Sequence, residues 1–228
     1  MQLSKRVRIL AAIVGSGIVV ASSACGNDST APTKVAGASQ LTTTEARSTF
    51  VPTEASKARG SSSGGSYRVT FNPAIDQVIT VGPHRLDIPA NAVCQIGTSG
   101  YGPAFWDQPC TPETSMVTLT IAVDGSNSSN PQVDFKPAMR FNPATNVTLY
   151  FYVPEVSRQA ARNWQILYCP TTSIGSGSGS SGSCVDEAKT DRDLRTYVDY
   201  DASVLFRRLK HFSVYRVDAE DSGYLVGQ

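Results

Sequence analysis

Charge is scarce in this sequence. Asp, Glu, Lys and Arg make up 17% of the chain, and the net charge is +1. Past the first residues there is no extended block of Lys or Arg. A nucleic-acid partner needs a concentrated basic face, so none is expected. Histidine is scarcer still: only His84 and His211 occur. There is no Gly-x-Ser-x-Gly elbow and no His-Glu-x-x-His segment, so the common hydrolase and metalloprotease designs lack their parts. No cysteine pair has the short C-x-x-C spacing of structural zinc sites, and no metal or cofactor is implied. Long apolar runs are missing too. The longest, Ile9 to Val20, is about 12 residues, short of the roughly 20 that span a bilayer as a helix. Sustained helical periodicity is absent.

What the N-terminus does hold is an address. Lys5, Arg6 and Arg8 lead into the apolar run, followed by Ala21-Ser22-Ser23-Ala24 and then Cys25-Gly26-Asn27. A basic start, a short apolar stretch and small residues describe a bacterial export signal. With a cysteine directly after them, the segment resembles the lipobox of bacterial lipoproteins. The resemblance implies that Cys25 is acylated and becomes the first residue of the mature chain. Gly26 after that cysteine implies outer-membrane sorting. Ser22 stands where the lipobox prefers an aliphatic residue, and Ser22-x-Ala24 also suits ordinary signal peptidase, which would release a secreted protein. Lipid anchoring with several acyl chains would be stable.

There are five cysteines. Setting Cys25 aside leaves Cys94, Cys110, Cys169 and Cys184, an even set in an exported chain, where disulfides persist. Sequence neighbours are the expected pairs, Cys94 with Cys110 and Cys169 with Cys184. Each closes a loop of about 15 residues, worth roughly 3 kcal/mol by chain entropy.

Gly26 to Ser66 is rich in Ser, Thr, Ala and Gly and poor in large apolar residues. It reads as a disordered tether, because it can bury too little to offset its chain entropy. Its root-mean-square reach would be roughly 35 Å for about 40 residues. Within it, Thr49-Phe50-Val51 could dock on the domain as a short segment, but the expectation is that it does not.

From Tyr67 the pattern changes to period two. Tyr67, Val69 and Phe71 share a face, as do Leu86 and Ile88. Val117, Leu119, Ile121 and Val123 alternate cleanly, and so do Val147, Leu149, Phe151 and Val153. Val78–Val81, Val133–Phe135, Met139–Phe141, Trp164–Tyr168, Arg195–Tyr200, Val204–Leu209 and Phe212–Val217 read as further short strands, and Glu155–Asn163 as a helical turn or two. About nine or ten strands separated by Asn-Pro, Gly-Pro and Asp-Gly turns point to an all-β chain, an antiparallel β-sandwich with Ig-like layering. The expected organisation is a signal peptide over 1–24, a tether over 25–66, the sandwich over 67–217 and a tail over 218–228. Ile174 to Ser183 is a Gly/Ser hairpin loop closed at its base by Cys169 and Cys184. It lacks the Lys-Ser/Thr ending of a phosphate-binding loop.

Two segments carry a family likeness. Val81-Gly82-Pro83-His84-Arg85-Leu86-Asp87-Ile88-Pro89-Ala90-Asn91-Ala92 resembles a strand followed by "I-P-x-G/N-A". Leu209-Lys210-His211-Phe212-Ser213-Val214-Tyr215 resembles the closing "L-x-H-F-S-x-Y". Together they resemble the β-sandwich domain shared by zonula occludens protein, netrin receptors and ankyrins, over about Ser66 to Val217. The insert from Cys94 to Thr114 and the Gly/Ser loop have no place in that pattern. The resemblance implies an interaction or scaffold domain without a metabolic active site.

Three sites follow. His211-Phe212-Ser213 matches a triplet at which some relatives cut themselves. Ser213 would attack the Phe212 carbonyl, with His211 as base. The plainer expectation is a regular closing strand with Phe212 in the core. Tyr101, Phe105 and Trp106 on the Cys94–Cys110 loop could bind a sugar or an envelope protein, or fold back to cap the sandwich. The acidic run Asp186, Glu187, Asp191, Asp193, Asp199 and Asp201 is expected to be a solvated face, since Lys189, Arg192 and Arg195 accompany it. His84, after Gly82-Pro83, is expected in an exposed turn. The function expected from all this is a non-enzymatic envelope lipoprotein domain. A self-cleaving domain and a secreted carbohydrate-binding module are the alternatives.

Overall fold

The computed structural model describes residues 44–45, 47–54, 64–125, 129–160, 162–170 and 184–220. All lie within the compact unit Gln40–Gln228. The export signal, Cys25, the Gly/Ser run and most of the tail fall outside the described residues.

The chain folds as two sheets, as its period-two pattern requires. The strands β2 (Gly65–Phe71), β5 (Val117–Asp124), β6 (Gln132–Lys136), β11 (Val214–Glu220) and β8 (Asn163–Tyr168) form an antiparallel sheet in that order. The second sheet runs β1 (Thr44–Glu45), β9 (Tyr197–Asp199), β10 (Val204–Leu209), β7 (Val147–Tyr152), β4 (His84–Ile88), β3 (Gln77–Val81). Its pairs are antiparallel except β1 with β9, which is parallel.

Alternation fills the core. Val117, Leu119, Ile121 and Val123 of β5 are buried, and Thr120 and Asp124 on its other face are exposed. They share one apolar cluster with Leu86, Ile88, Leu149, Phe151, Trp164 and Phe212. Each such side chain contributes about 1.5–3 kcal/mol relative to exposure. β3 and β4 are joined by Gly82-Pro83, and Gly82 has φ 59°. A two-residue hairpin loop needs a positive φ of this kind, which glycine adopts freely.

Four expectations are corrected. First, His84 is not exposed. The chain has already turned at Gly82-Pro83, so His84 opens β4 facing inward and is 1% exposed. Its Nδ1 accepts the Tyr152 N–H at 3.3 Å, and its ring meets Phe151 edge-on. Burial pushes its pKa down to about 3.

Second, the Thr49-Phe50-Val51 segment docks on the sandwich, against the expectation that it would not. Phe50 is buried against Tyr150 and Val204, with the Arg85 guanidinium over its ring. The Ser48 N–H donates to Asp199 at 2.7 Å, and the Thr49 hydroxyl meets the Tyr150 phenol at 2.9 Å. One aromatic ring and a strand edge at β9 are enough to hold a segment of otherwise polar chain.

Third, the closing strand starts at Val214, not Phe212. β10 belongs to one sheet and β11 to the other, so residues 210–213 cross between them. Met139–Phe141 is not a strand either. It flanks that crossing through single pairings, Arg140 with His211 and Val93 with Phe141. Fourth, the acidic run is not simply solvated: Glu187 and Asp199 are buried. Asp199 accepts the Ser48 and Ala202 N–H groups.

Candidate functional site

The crossing between the sheets gathers the most polar part of the interior. His211 and Phe212 are both fully buried there. Phe212 packs between Phe135 and Phe141, while His211 turns the other way into a polar cluster. A residue pair in extended chain points to opposite faces, so one inward side is apolar and the other is not.

The Cys94–Cys110 disulfide is formed, with Cα atoms 5.7 Å apart. Cys169–Cys184 is formed as well. Both pairings are those expected, and they belong to an oxidising, extracytoplasmic environment. Arg140 holds the first loop from beneath. Its Nε donates to the Ser99 carbonyl at 2.7 Å, Nη1 to Gln108 at 2.7 Å and Nη2 to Pro109 at 3.2 Å. Gly100, with φ 57°, lies so close to Phe105 that a Cβ would stand 2.9 Å from its ring. Only glycine fits that turn.

The loop folds back on the crossing. Trp106 stacks on His211 with centroids 4.1 Å apart and planes at 21°. The Tyr101 hydroxyl donates to the Phe212 carbonyl at 2.9 Å and lies 3.3 Å from His211 Nδ1. Tyr168 meets His211 edge-on at 4.7 Å. The Tyr215 hydroxyl donates to the His211 carbonyl at 2.9 Å. The Ser213 side chain interacts with the Tyr101 and Tyr168 phenols and partly offsets the effect of their burial. Tyr101 and Phe105 remain 42% and 39% exposed.

Behind the histidine lies an ion pair. His211 Nε2 is 3.4 Å from Glu187, whose other oxygen takes the Arg207 Nη2 donor at 2.8 Å. Arg207 Nη1 donates to the Ile166 carbonyl at 2.7 Å. Burial alone would raise the Glu187 pKa. The His211 hydrogen bond and the Arg207 charge outweigh it and hold the carboxyl below the usual range. Burial pushes the phenols of Tyr101, Tyr168 and Tyr215 upward, so they serve as neutral donors.

The candidate residues from sequence thus converge: His211, Phe212, Ser213, Tyr101 and Trp106 form one cluster. Phe105 stays at its rim. Arg207, Tyr168 and Tyr215 were not singled out as site residues, and Glu187 was assigned to a solvated face. The signal for Arg207 was its inward place between Leu205 and Leu209, which calls for a buried counter-charge. Among the described residues, no group of three or more His, Cys, Asp or Glu side chains is gathered as metal ligands.

Neither protein-family models, nor curated proteins, nor solved structures give a match. The cluster has to be interpreted from its own geometry.

Proposed function

We propose that the chain is a bacterial cell-envelope lipoprotein, anchored through Cys25 in the outer membrane, whose sandwich is a non-enzymatic interaction or scaffold domain. Its partner is an envelope protein or glycan. The observation that carries this reading is the state of the Cys94–Cys110 loop. A disulfide, three Arg140 hydrogen bonds and the Tyr101–Phe212 bond fix it, yet it still presents Tyr101 and Phe105 to solvent. A preorganised aromatic surface loses little conformational freedom on binding. The test is site-specific photo-crosslinking from position 105 in intact envelopes, with position 78 on β3 as control. Discrete adducts from 105 alone support the reading. No adducts, or the same adducts from both positions, refute it.

One observation favours a second reading, self-cleavage between Phe212 and Ser213. The Tyr101 phenol donates to the carbonyl that would become the oxyanion. Ser213 Oγ would bond to the Phe212 carbonyl carbon, and its proton would pass to the Ser213 nitrogen as the C–N bond breaks. Water would then hydrolyse the ester to a Phe212 carboxylate and a free Ser213 N-terminus. Against it, the His211 ring nitrogens face Glu187, Tyr101 and Tyr215 rather than Ser213. Intact mass decides between the readings.

A further inference from the structure

The stapled loop also walls a cavity of about 360 Å³, within the roughly 300–1,000 Å³ range of small-molecule sites. Its wall includes Thr98, Ser99, Phe105, Gln108, Thr111 and Arg140, and no carboxylate. Arg140 is 3% exposed. Three carbonyls occupy three of its five N–H donors and lock the guanidinium plane. No ion pair of Arg140 occurs among the described residues. The acids of the stapled loop and its flank, Asp107 and Glu113, are committed elsewhere. Asp107 pairs with Lys210. Glu113 accepts the Thr114 and Ser115 N–H groups. Buried charges in proteins are paired, and among the described residues this one has no carboxylate partner. Burial accordingly lowers the Arg140 pKa with no carboxylate opposing it. The same wall holds a second unfilled group: Ser99 is 7% exposed, and its buried hydroxyl has no hydrogen-bond partner.

We propose that this cavity binds a small carboxylate. The remaining Arg140 N–H groups and the Ser99 hydroxyl hold the anion. Thr98, Gln108 and Thr111 supply polar contacts to its body, and Phe105 supplies an apolar wall. A planar carboxylate matches the guanidinium fork. This rests on the interaction-domain reading and names its ligand chemistry. Such a carboxylate could belong to an acidic sugar or to a peptide C-terminus.

The test is titration calorimetry of the full chain with two probes, D-glucuronate and N-acetylglycine, each beside its uncharged amide. Binding of at least one acid, with its amide at least tenfold weaker, is expected, and the acid that binds identifies the source. Arg140 also braces the loop, so Ser99→Ala is the variant to use. It should weaken the acid by roughly 10–100-fold, as for a lost hydrogen bond to a charged group. No binding of either acid, equal binding of acid and amide, or an unaffected Ser99→Ala would overturn the proposal. None of these results would alter the crosslinking from position 105, so the two ideas fail separately.

Discussion

Tyr101 and Phe212 lie 111 positions apart in the chain, yet the phenol of one donates to the carbonyl of the other at 2.9 Å. That bond joins an insert loop to the strand crossing and makes the loop part of the sandwich. Trp106 on His211 seals the same junction. The Cys94–Cys110 bridge is what keeps both aromatic residues in reach.

Replacing Cys94 and Cys110 together by Ser should therefore do more than lengthen a loop. We expect a loss of about 3 kcal/mol from chain entropy. The Trp106 near-ultraviolet signal should fall at the same time, as the ring leaves His211. A loss of stability with an unchanged Trp signal would mean that the loop stays docked without its staple.

Glu187 is the counter-charge for Arg207 and the partner of His211. Glu187→Gln leaves Arg207 buried without a counter-ion and should cost about 3–5 kcal/mol at neutral pH. The folded carboxyl titrates below its ordinary value. Its contribution is thus complete above about pH 4.3, the ordinary value for Glu, and is lost as pH falls through the lower folded value. Urea midpoints of parent and variant should differ most near pH 7 and converge in acid. A constant difference down to pH 2 would show that the charge plays no part.

His84 has the opposite kind of site, a dry one. Its folded pKa is about 3, against about 6.5 in the unfolded chain. The unfolded state alone takes up the proton between those values, so stability falls as pH drops from about 6.5 toward 3, by about 1.4 kcal/mol per pH unit. His84→Phe abolishes that slope. It also strips the Tyr152 N–H of its acceptor, which costs about 1–3 kcal/mol at neutral pH. The expected signature is a variant weaker at pH 7 but flatter in acid.

The sheets were legible because period two is a direct consequence of pleating: β5 obeys it at every position, and β7 departs from it only at Tyr150, which Phe50 covers. The disulfides were legible from parity and spacing. The interior of the site was not. Whether Glu187 meets solvent depends on Arg207, twenty positions away and pointing inward from β10. Whether His84 is exposed turns on a shift of one or two residues in where β4 begins. The crossing at 210–213 was hidden because an extended segment looks the same whether it stays in one sheet or changes sheets. Phe50 stood out as an apolar residue in polar chain, but nothing in the sequence shows that Tyr150 and Val204 offer it a surface.

Phe50 carries its own consequence. Phe50→Ala should release residues 47–54 from β7 and β10 while the sandwich persists, since the core cluster does not include Phe50. Trypsin should then cut after Arg47 faster than in the parent, with the thermal midpoint little changed. An unchanged cleavage rate would mean that the Ser48–Asp199 and Thr49–Tyr150 bonds suffice to hold the segment.

The His211-Phe212-Ser213 crossing sets the interaction reading against the self-cleavage one. Phe212 is fully buried between Phe135 and Phe141. Its N–H donates to the Met139 carbonyl at 2.7 Å, and the Ser213 carbonyl accepts the Phe135 N–H at 3.1 Å. Both sides of the peptide are thus held in ordinary pairings. The His211 ring nitrogens are engaged by Tyr101, Glu187 and Tyr215, so the base the reaction needs does not face Ser213. We expect the purified chain to remain whole and Ser213→Ala to leave its mass pattern unchanged. Phe212→Ala should cost about 3–5 kcal/mol, the range for truncating a buried aromatic ring. A peptide running from Ser213 to Gln228, absent in Ser213→Ala and diminished in Tyr101→Phe, would reverse the order of the two readings. It would make the Tyr101 hydroxyl the group that stabilises the oxyanion.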